Sequence, residues 1–438
     1  MKKYFIFLAS AAMLLATSCA KEEVNTTGET ELITVQLNPE TKTALGAEGT
    51  TTWEADDKVS VTVGGEVVGT LSLVEGSTFS GEITAGLSGD ATLNYPAGVT
   101  AIPEPQAAVN GSFADGAALL EGTTTVEKLR AGEGVELQNK TALLQFTVAQ
   151  AGDVTFEVGT AKYTVTGCKT GETYYACVAP AEGVNLVARI DGYLSRATSD
   201  AVTFTASTVA DLKELPAPKE SGWGVKGNFD SWGTGYKLYN DLDGNIVAKN
   251  VKLAAKNEFK VVVNNTYYRA INTTPTLNKW LGLYKIDGNT SLPADIYDIY
   301  VNKDSYMMCI VEAGSSMPEF SSTNSEYYVV MKHLWSDWDY KLYVYPDVSW
   351  GDTNKWPGIY CEGNFYFDNN EYKYWKVANE ANGKTVGFVF TDDNNGGTQQ
   401  SKDVTNVKLT SDHFYYFPSW DSSVGKANIS EFSITEFR

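Results

Sequence analysis

Val59-Ser60-Val61-Thr62-Val63 alternates apolar and hydroxyl side chains and then breaks on Gly64-Gly65. A period of two sends successive side chains to opposite faces, which is a half-buried β-strand ending in a turn. The same alternation recurs upstream in Ile33-Thr34-Val35-Gln36-Leu37 and downstream in Val154-Thr155-Phe156-Glu157-Val158 and Lys260-Val261-Val262-Val263. Turn signals such as Asp243-Gly244-Asn245 and Asp287-Gly288-Asn289 separate the strands. Helical periodicity is nearly absent. Many short strands with frequent breakers predict an all-β chain of tandem β-sandwiches or barrels.

The 438 residues are enough for several domains, and a 43% hydrophobic content can fill their cores. The 54 acidic against 34 basic side chains leave no basic footprint for phosphates, so no nucleic-acid partner is expected. The aromatic residues divide the chain in two. Residues 20–219 hold one Trp (Trp53) and five Tyr, whereas residues from 220 onward hold nine Trp and nineteen Tyr. The composition changes near Leu215-Pro216-Ala217-Pro218.

Residues 1–19 read MKKYFIFLASAAMLLATSC. Lys2 and Lys3 precede an apolar stretch too short to span a bilayer comfortably, and small residues lead to Cys19. The pattern is that of a bacterial lipoprotein signal: 1–18 removed, Cys19 lipidated, and 19–30 a polar tether. The acidic Lys21-Glu22-Glu23 that follows resembles the surface-export signal of Bacteroidetes lipoproteins. That resemblance implies an outer-membrane lipid anchor and exposure on the cell surface. Of the remaining cysteines, Cys168 and Cys177 flank a turn and are open to a disulfide; Cys309 and Cys361 stand apart. With no CxxC and only two His, His333 and His413, neither a metal nor a cofactor is expected. His333 reads as a strand surface residue and His413 as a loop residue.

Residues 31–216 are rich in Thr, Val, Ala and Gly. Their TKTALGAEGTTTWEADDKVSV opening and the Asn139-Lys140-Thr141-Ala142-Leu143-Leu144 step resemble the fimbrillin-like family of Bacteroidetes surface proteins. The resemblance implies a β region, long enough for two small sandwiches, that serves as fimbrial subunit or spacer, with Trp53 in a core or at a strand edge.

Residues 220–314 open on Val225-Lys226-Gly227-Asn228-Phe229-Asp230-Ser231-Trp232 and continue through Asp241-Leu242-Asp243-Gly244-Asn245 to Glu258-Phe259-Lys260-Val261. These steps resemble the starch-binding domains of the outer-membrane lipoproteins SusE and SusF. A pyranose ring presents an apolar face that an aromatic ring can cover, and its hydroxyls need polar partners. The stacking candidates are Trp232, Tyr267, Tyr268 and Trp280. Lys260, Arg269 and Asn265 are the candidates for hydroxyls. Trp232 and Tyr267 equally fit the ends of a sandwich. Asp241-x-Asp243-Gly244 lacks the glycine and glutamate spacing of a calcium loop and reads as a turn.

Residues 325–438 contain Tyr343-Val344-Tyr345, whose two rings share one strand face, and then Trp356-Pro357-Gly358. With Trp375, Phe388-Val389-Phe390 and the 394–400 loop, these residues resemble carbohydrate-binding module family 26. The resemblance implies a sugar platform of Tyr343, Tyr345 and Trp356, with Gln400 or its neighbour Gln399 bonding hydroxyls. Trp350 belongs to the platform turn or to its rim, and Trp375 reads as core.

No (β/α)₈ pattern, GxSxG, HExxH or P-loop occurs, so no enzyme is expected. The reading that follows is non-catalytic capture of starch, amylopectin or maltooligosaccharides at the cell surface. A surface amylase and a SusC/SusD-like transport complex are the implied partners. The alternatives are a fimbrial or adhesive subunit that binds host glycans or proteins, and capture of another plant polysaccharide.

Overall fold

A computed structural model describes residues 28–39, 53, 55–253, 258–334, 338–345, 355–393 and 399–438. Cys19, Trp350, the signal segment and most of the tether lie outside the described residues. Strands dominate, as the alternating pattern predicts, and among the described residues the one α-helix is the short Val126–Arg130. Thr125 caps that helix by accepting a hydrogen bond from the Lys128 amide at 3.4 Å. Among the described residues, no helix is long and apolar enough to cross a membrane.

The chain divides into two compact units. Among the described residues, the first contains those within 28–145, 175–182 and 203–211. Its main body is a closed barrel. Around the barrel run Thr30–Pro39, Thr78–Thr84, Glu66–Glu75, Lys58–Val63, Asp90–Tyr95, Leu120–Thr125 and Val135–Asn139. The last strand closes on the first in parallel, with Leu37 opposite Val135. Alternation fills the barrel: Ile33, Val35, Leu37, Val59, Val61, Leu71 and Phe79 all face one core. Trp53 packs edge-on against Phe79 and Tyr95, and its indole N–H donates to the Leu37 carbonyl at 3.1 Å. At the barrel's end, the buried Asn139 side chain accepts from both the amide and the hydroxyl of Thr141, at 2.8 and 2.7 Å. That local turn accounts for the Asn-Lys-Thr step, because a side chain that satisfies the next backbone donor ends a strand.

The second unit contains residues 146–174, 183–202 and 212–438. It begins with a sheet of Tyr193–Ala197, Leu186–Ile190, Gly152–Val158 and Ala161–Cys168. Arg189 ties this sheet forward by a 2.9 Å ion pair to Asp241, and the Tyr193 ring packs 4.4 Å from that of Tyr239. Cys168 in this unit and Cys177 in the first are free, buried thiols, each pushed up to about 12 chiefly by burial. The Asp241-Leu242-Asp243-Gly244 turn is a single 3₁₀ turn, with Asp241 capping Leu242 and Asp243 at φ +55°.

Residues 220–314 and 325–438 are expected as successive sandwiches, and the structure joins them in one hydrophobic body. A large sheet runs from Thr266–Tyr268 through Glu220–Gly227 and Asn245–Lys252 to Met307–Glu312, then to Trp280–Gly282 and Ser325–Glu326. The strand Met307–Glu312 shows how the two segments meet. Met308 and Ile310 face the core of the first segment, and Met307, Cys309 and Val311 face a core shared with Val329, Leu342, Trp375 and Phe388. A strand buried on both faces reads as a continuous apolar run, and Met307-Met308-Cys309-Ile310-Val311 is one. A second shared cluster sets Ile271, Tyr284 and Ile286 against Tyr328, Phe414 and Phe437. Asp412, buried between the two segments, accepts from the Tyr284 hydroxyl and from the Tyr328 amide at 2.6 Å. Burial pushes this carboxyl up to about 6.

The carboxy-terminal half of this body is a sandwich. One sheet orders Gly363–Phe367, Asn370–Lys376, Tyr328–Lys332, His413–Tyr416 and Ser430–Phe432. The other orders Ile359–Tyr360, Tyr340–Tyr345, Thr385–Asp392 and Val404–Lys408. His413 opens a strand, so the loop reading is corrected; its ring bonds Glu431 at 2.8 Å and the Lys408 carbonyl at 3.1 Å. His333 is half-buried beside Tyr340.

Candidate functional site: an angled aromatic platform

The strand Tyr340–Tyr345 decides the geometry. Tyr340, Leu342 and Val344 are buried, which leaves Lys341, Tyr343 and Tyr345 on the opposite face. The Tyr343 and Tyr345 rings lie 6.3 Å apart and within 26° of parallel. Trp356 comes back beside them with its ring 5.4 Å from Tyr343 and turned by 76°. Half of the Trp356 surface (50%) is exposed. The three aromatic residues expected to form a platform are therefore brought together, as two nearly parallel rings and one turned across them.

Backbone contacts hold the turn that carries Trp356. The Gly358 amide donates to the Lys355 carbonyl at 2.6 Å, and the Thr391 hydroxyl donates to the Pro357 carbonyl at 2.6 Å. Gly358 has φ +117°, and a Cβ there would meet the Leu342 carbonyl at 2.5 Å, so the turn passes over the strand only as glycine. Trp375 is fully buried, and its indole N–H donates to the Ile359 carbonyl at 3.0 Å. It supports the turn from inside the core.

Tyr345 is fixed by Gly387 and Asp403. Gly387 sits opposite it in register, and a Cβ at Gly387 would meet the Tyr345 ring at 2.7 Å. The missing side chain is what lets the ring lie over the neighbouring strand. The Tyr345 hydroxyl donates to Asp403 at 2.9 Å. Partial burial, reinforced by that bond, pushes the phenol up to about 12. Gln400 bridges antiparallel to Thr391, and its carbonyl accepts from the Ala427 amide at 2.9 Å; the Gln399 carbonyl accepts from the Asp392 amide at 3.0 Å. Both Gln side chains are half-buried, a few residues before Asp403.

The candidates in 220–314 separate. Trp232 and Tyr267 form an edge-to-face pair with ring centroids 6.5 Å apart, and Tyr267 is exposed. Ser231 and Trp232 both adopt left-handed φ, at +57° and +63°. The Trp232 amide donates to Gly227 at 2.7 Å, and Asp230 accepts from the Gly235 amide at 2.6 Å. A non-glycine pair in this conformation persists only where the surrounding turn imposes it. Lys260 is half-buried, and its ammonium pKa is lowered, first by burial and then by Arg269. Asn265 is exposed in the adjoining hairpin turn at φ +60°.

Three candidates are corrected. Tyr268, Arg269 and Trp280 are 4%, 2% and 0% exposed and present no surface to a ligand. Tyr268 stacks on Trp223 inside the core. The Arg269 guanidinium donates to the Asp287, Ala270 and Ile271 carbonyls, a staple of loop backbone. Burial brings it down to about 10. Trp280 lies in the core shared by the two segments. Among the described residues, no group of three or more His, Cys, Asp or Glu side chains is arranged to hold a metal ion.

No protein-family model matches the chain, and no curated protein matches it significantly. Among the solved structures similar to parts of it are two from Bacteroides. One is a fimbrial protein from Bacteroides ovatus, 10% identical, with a TM-score of 0.26 over 51% of this chain and 67% of that one. The other is a proposed cell adhesion protein from Bacteroides fragilis, also 10% identical, with a TM-score of 0.24 over 41% of this chain and 91% of that one.

Proposed function

We propose that this chain is a non-catalytic cell-surface protein that captures starch-like α-1,4-glucan on the Tyr343, Tyr345 and Trp356 platform. The observation that carries the reading is the angle. Two rings within 26° of each other and a third at 76° form a bent apolar surface. Aromatic rings offer the C–H faces of pyranoses a large, rigid contact at low entropic cost. A bent surface suits the curved α-1,4-glucan chain better than a flat β-glucan ribbon. Asp403, which bonds the Tyr345 hydroxyl, and Gln399 and Gln400, a few residues before it, supply carboxylate and amide groups for sugar hydroxyls. Trp232, Tyr267 and Lys260 make a smaller second site, and two weak sites on one polymer raise avidity through effective concentration.

In this reading Cys19 carries the lipid anchor, and captured glucan passes to a surface amylase and a SusC/SusD-like transport complex. Replacing Cys19 by Ala should move the protein out of the membrane fraction; unchanged fractionation would reject the anchor. The ligand is tested by retardation of the mature protein in native gels cast with amylopectin, xylan or a β-glucan. Retardation by amylopectin alone is the expected result, and none by amylopectin would sink the starch reading. The second reading is a fimbrial or adhesive subunit. The observation behind it is the fimbrillin-like sequence of the segment that forms the barrel. Retention by host-type glycans, or self-association without amylopectin retardation, would favour it.

A further inference from the structure

The exposed face of the strand Tyr340–Tyr345 does not stop at the tyrosines. Lys341 is the next residue on that face, and the edge strand Ile359–Tyr360 sets Tyr360 opposite it. The Lys341 ammonium lies 4.0 Å from the centre of the Tyr360 ring. Asp393 binds both partners: it takes the ammonium at 2.7 Å and accepts from the Tyr360 hydroxyl. These contacts fix the ring, yet Tyr360 keeps 52% of its surface exposed. A large aromatic ring locked by polar partners and left half in water gains little for folding. It is already ordered for a ligand, which spares the entropy of ordering it on binding.

Tyr360 also lines a cleft of about 700 Å³ that starts at Gly358, two residues after Trp356. Gly358, Ile359, Tyr360, Glu362, Asn379 and Glu380 form part of its wall. The wall combines an aromatic face with carboxylate and amide groups, the combination that a pyranose with its hydroxyls requires. Tyr345, Tyr343 and, opposite Lys341, Tyr360 share one face of this sheet, with Trp356 beside Tyr343.

We infer that the glycan site extends past Trp356 into this cleft, with Tyr360 as a further stacking ring and Asn379 and Glu380 as hydroxyl partners. The extension rests on the glucan-binding reading and gives it a preference for long chains. Short oligosaccharides fill the Tyr343, Tyr345 and Trp356 platform, and longer ones gain the contact with Tyr360.

The test is calorimetric titration of the mature protein with maltooligosaccharides of increasing length. In the native protein, affinity should keep rising after the three-ring platform is filled. Tyr360→Ala should remove that rise, weakening the longest oligosaccharides by roughly 5- to 10-fold while leaving the shortest unchanged. Tyr360→Phe keeps the ring without the hydroxyl and should retain most of the rise, which separates stacking from a general disturbance of the edge strand. Equal loss at every length, no loss at any length, or equal loss for Phe and Ala would each overturn the extension and leave the platform standing. Failure of the native protein to bind any maltooligosaccharide would overturn the glucan reading, and the extension with it.

Discussion

Trp280→Ala is expected to cost about 3–5 kcal/mol of stability, the range for a large aromatic truncated in a closed core. The strand Trp280–Gly282 pairs with Met307–Glu312 on one side and Ser325–Glu326 on the other, with Trp280 opposite both Cys309 and Ser325. Its indole N–H donates to the Pro318 carbonyl at 3.0 Å, and its ring meets Phe320 edge-on at 5.3 Å. Truncation therefore opens a cavity in the core common to 220–314 and 325–438 and removes a ring that pins the connection between them. Because the core is common, the loss should appear as one earlier unfolding transition for the whole 220–438 body. Guanidinium unfolding followed by tryptophan fluorescence and by circular dichroism measures this. A shift below about 1 kcal/mol, or two transitions of which only one moves, would contradict the shared core. Glucan binding by the folded variant should be unchanged, since Trp280 has no exposed surface.

The strands were legible wherever one face is buried and the other wet. Ile33–Leu37 and Val154–Val158 show the alternation in sequence and in burial, and Tyr340–Tyr345 shows it in burial. The platform was legible for the same reason: a period of two fixes which side Tyr343 and Tyr345 share, without knowledge of what packs beneath them. Trp280 and Tyr268 were misread because stacking rings and core rings are the same residue types. Only their apolar neighbours separate them, and Leu281 and Leu283 beside Trp280 were the available signal. Arg269 was misread because a guanidinium that donates to three carbonyls has the composition of a ligand contact, and only the fold supplies those carbonyls.

The union of the two aromatic segments was partly written in the sequence. The unbroken apolar run Met307–Val311 belongs to a strand covered on both faces, which a self-contained sandwich edge does not need. What was not written is the partner. The bond between Tyr284 and Asp412 joins residues 128 apart, and no local periodicity encodes such a distance. Tyr360, Asp393 and Gly387 escaped for a related reason. Each matters through its cross-strand neighbour, Lys341 or Tyr345, and register is a property of the pairing.

Tyr343→Ala combined with Trp356→Ala should weaken amylopectin and maltooligosaccharide binding by roughly 10- to 100-fold, because central aromatic anchors typically carry 1–2 kcal/mol or more each. The two residues touch, so their effects should not simply add. Stability should change little. Tyr343 is half-buried and Trp356 half exposed, and the turn beneath them is held by Gly358, Thr391 and Trp375, all of which remain. Trp375→Ala provides the opposite signature: with a fully buried ring gone, it should lose about 3–5 kcal/mol and keep its ligand preference while folded. Affinity electrophoresis and thermal unfolding on the same preparations separate the two outcomes. A double variant that binds like the native protein would remove the platform from Tyr343 and Trp356. A double variant that binds weakly only because it unfolds early would make the two rings structural, and the bent surface would then have no claim on the glucan.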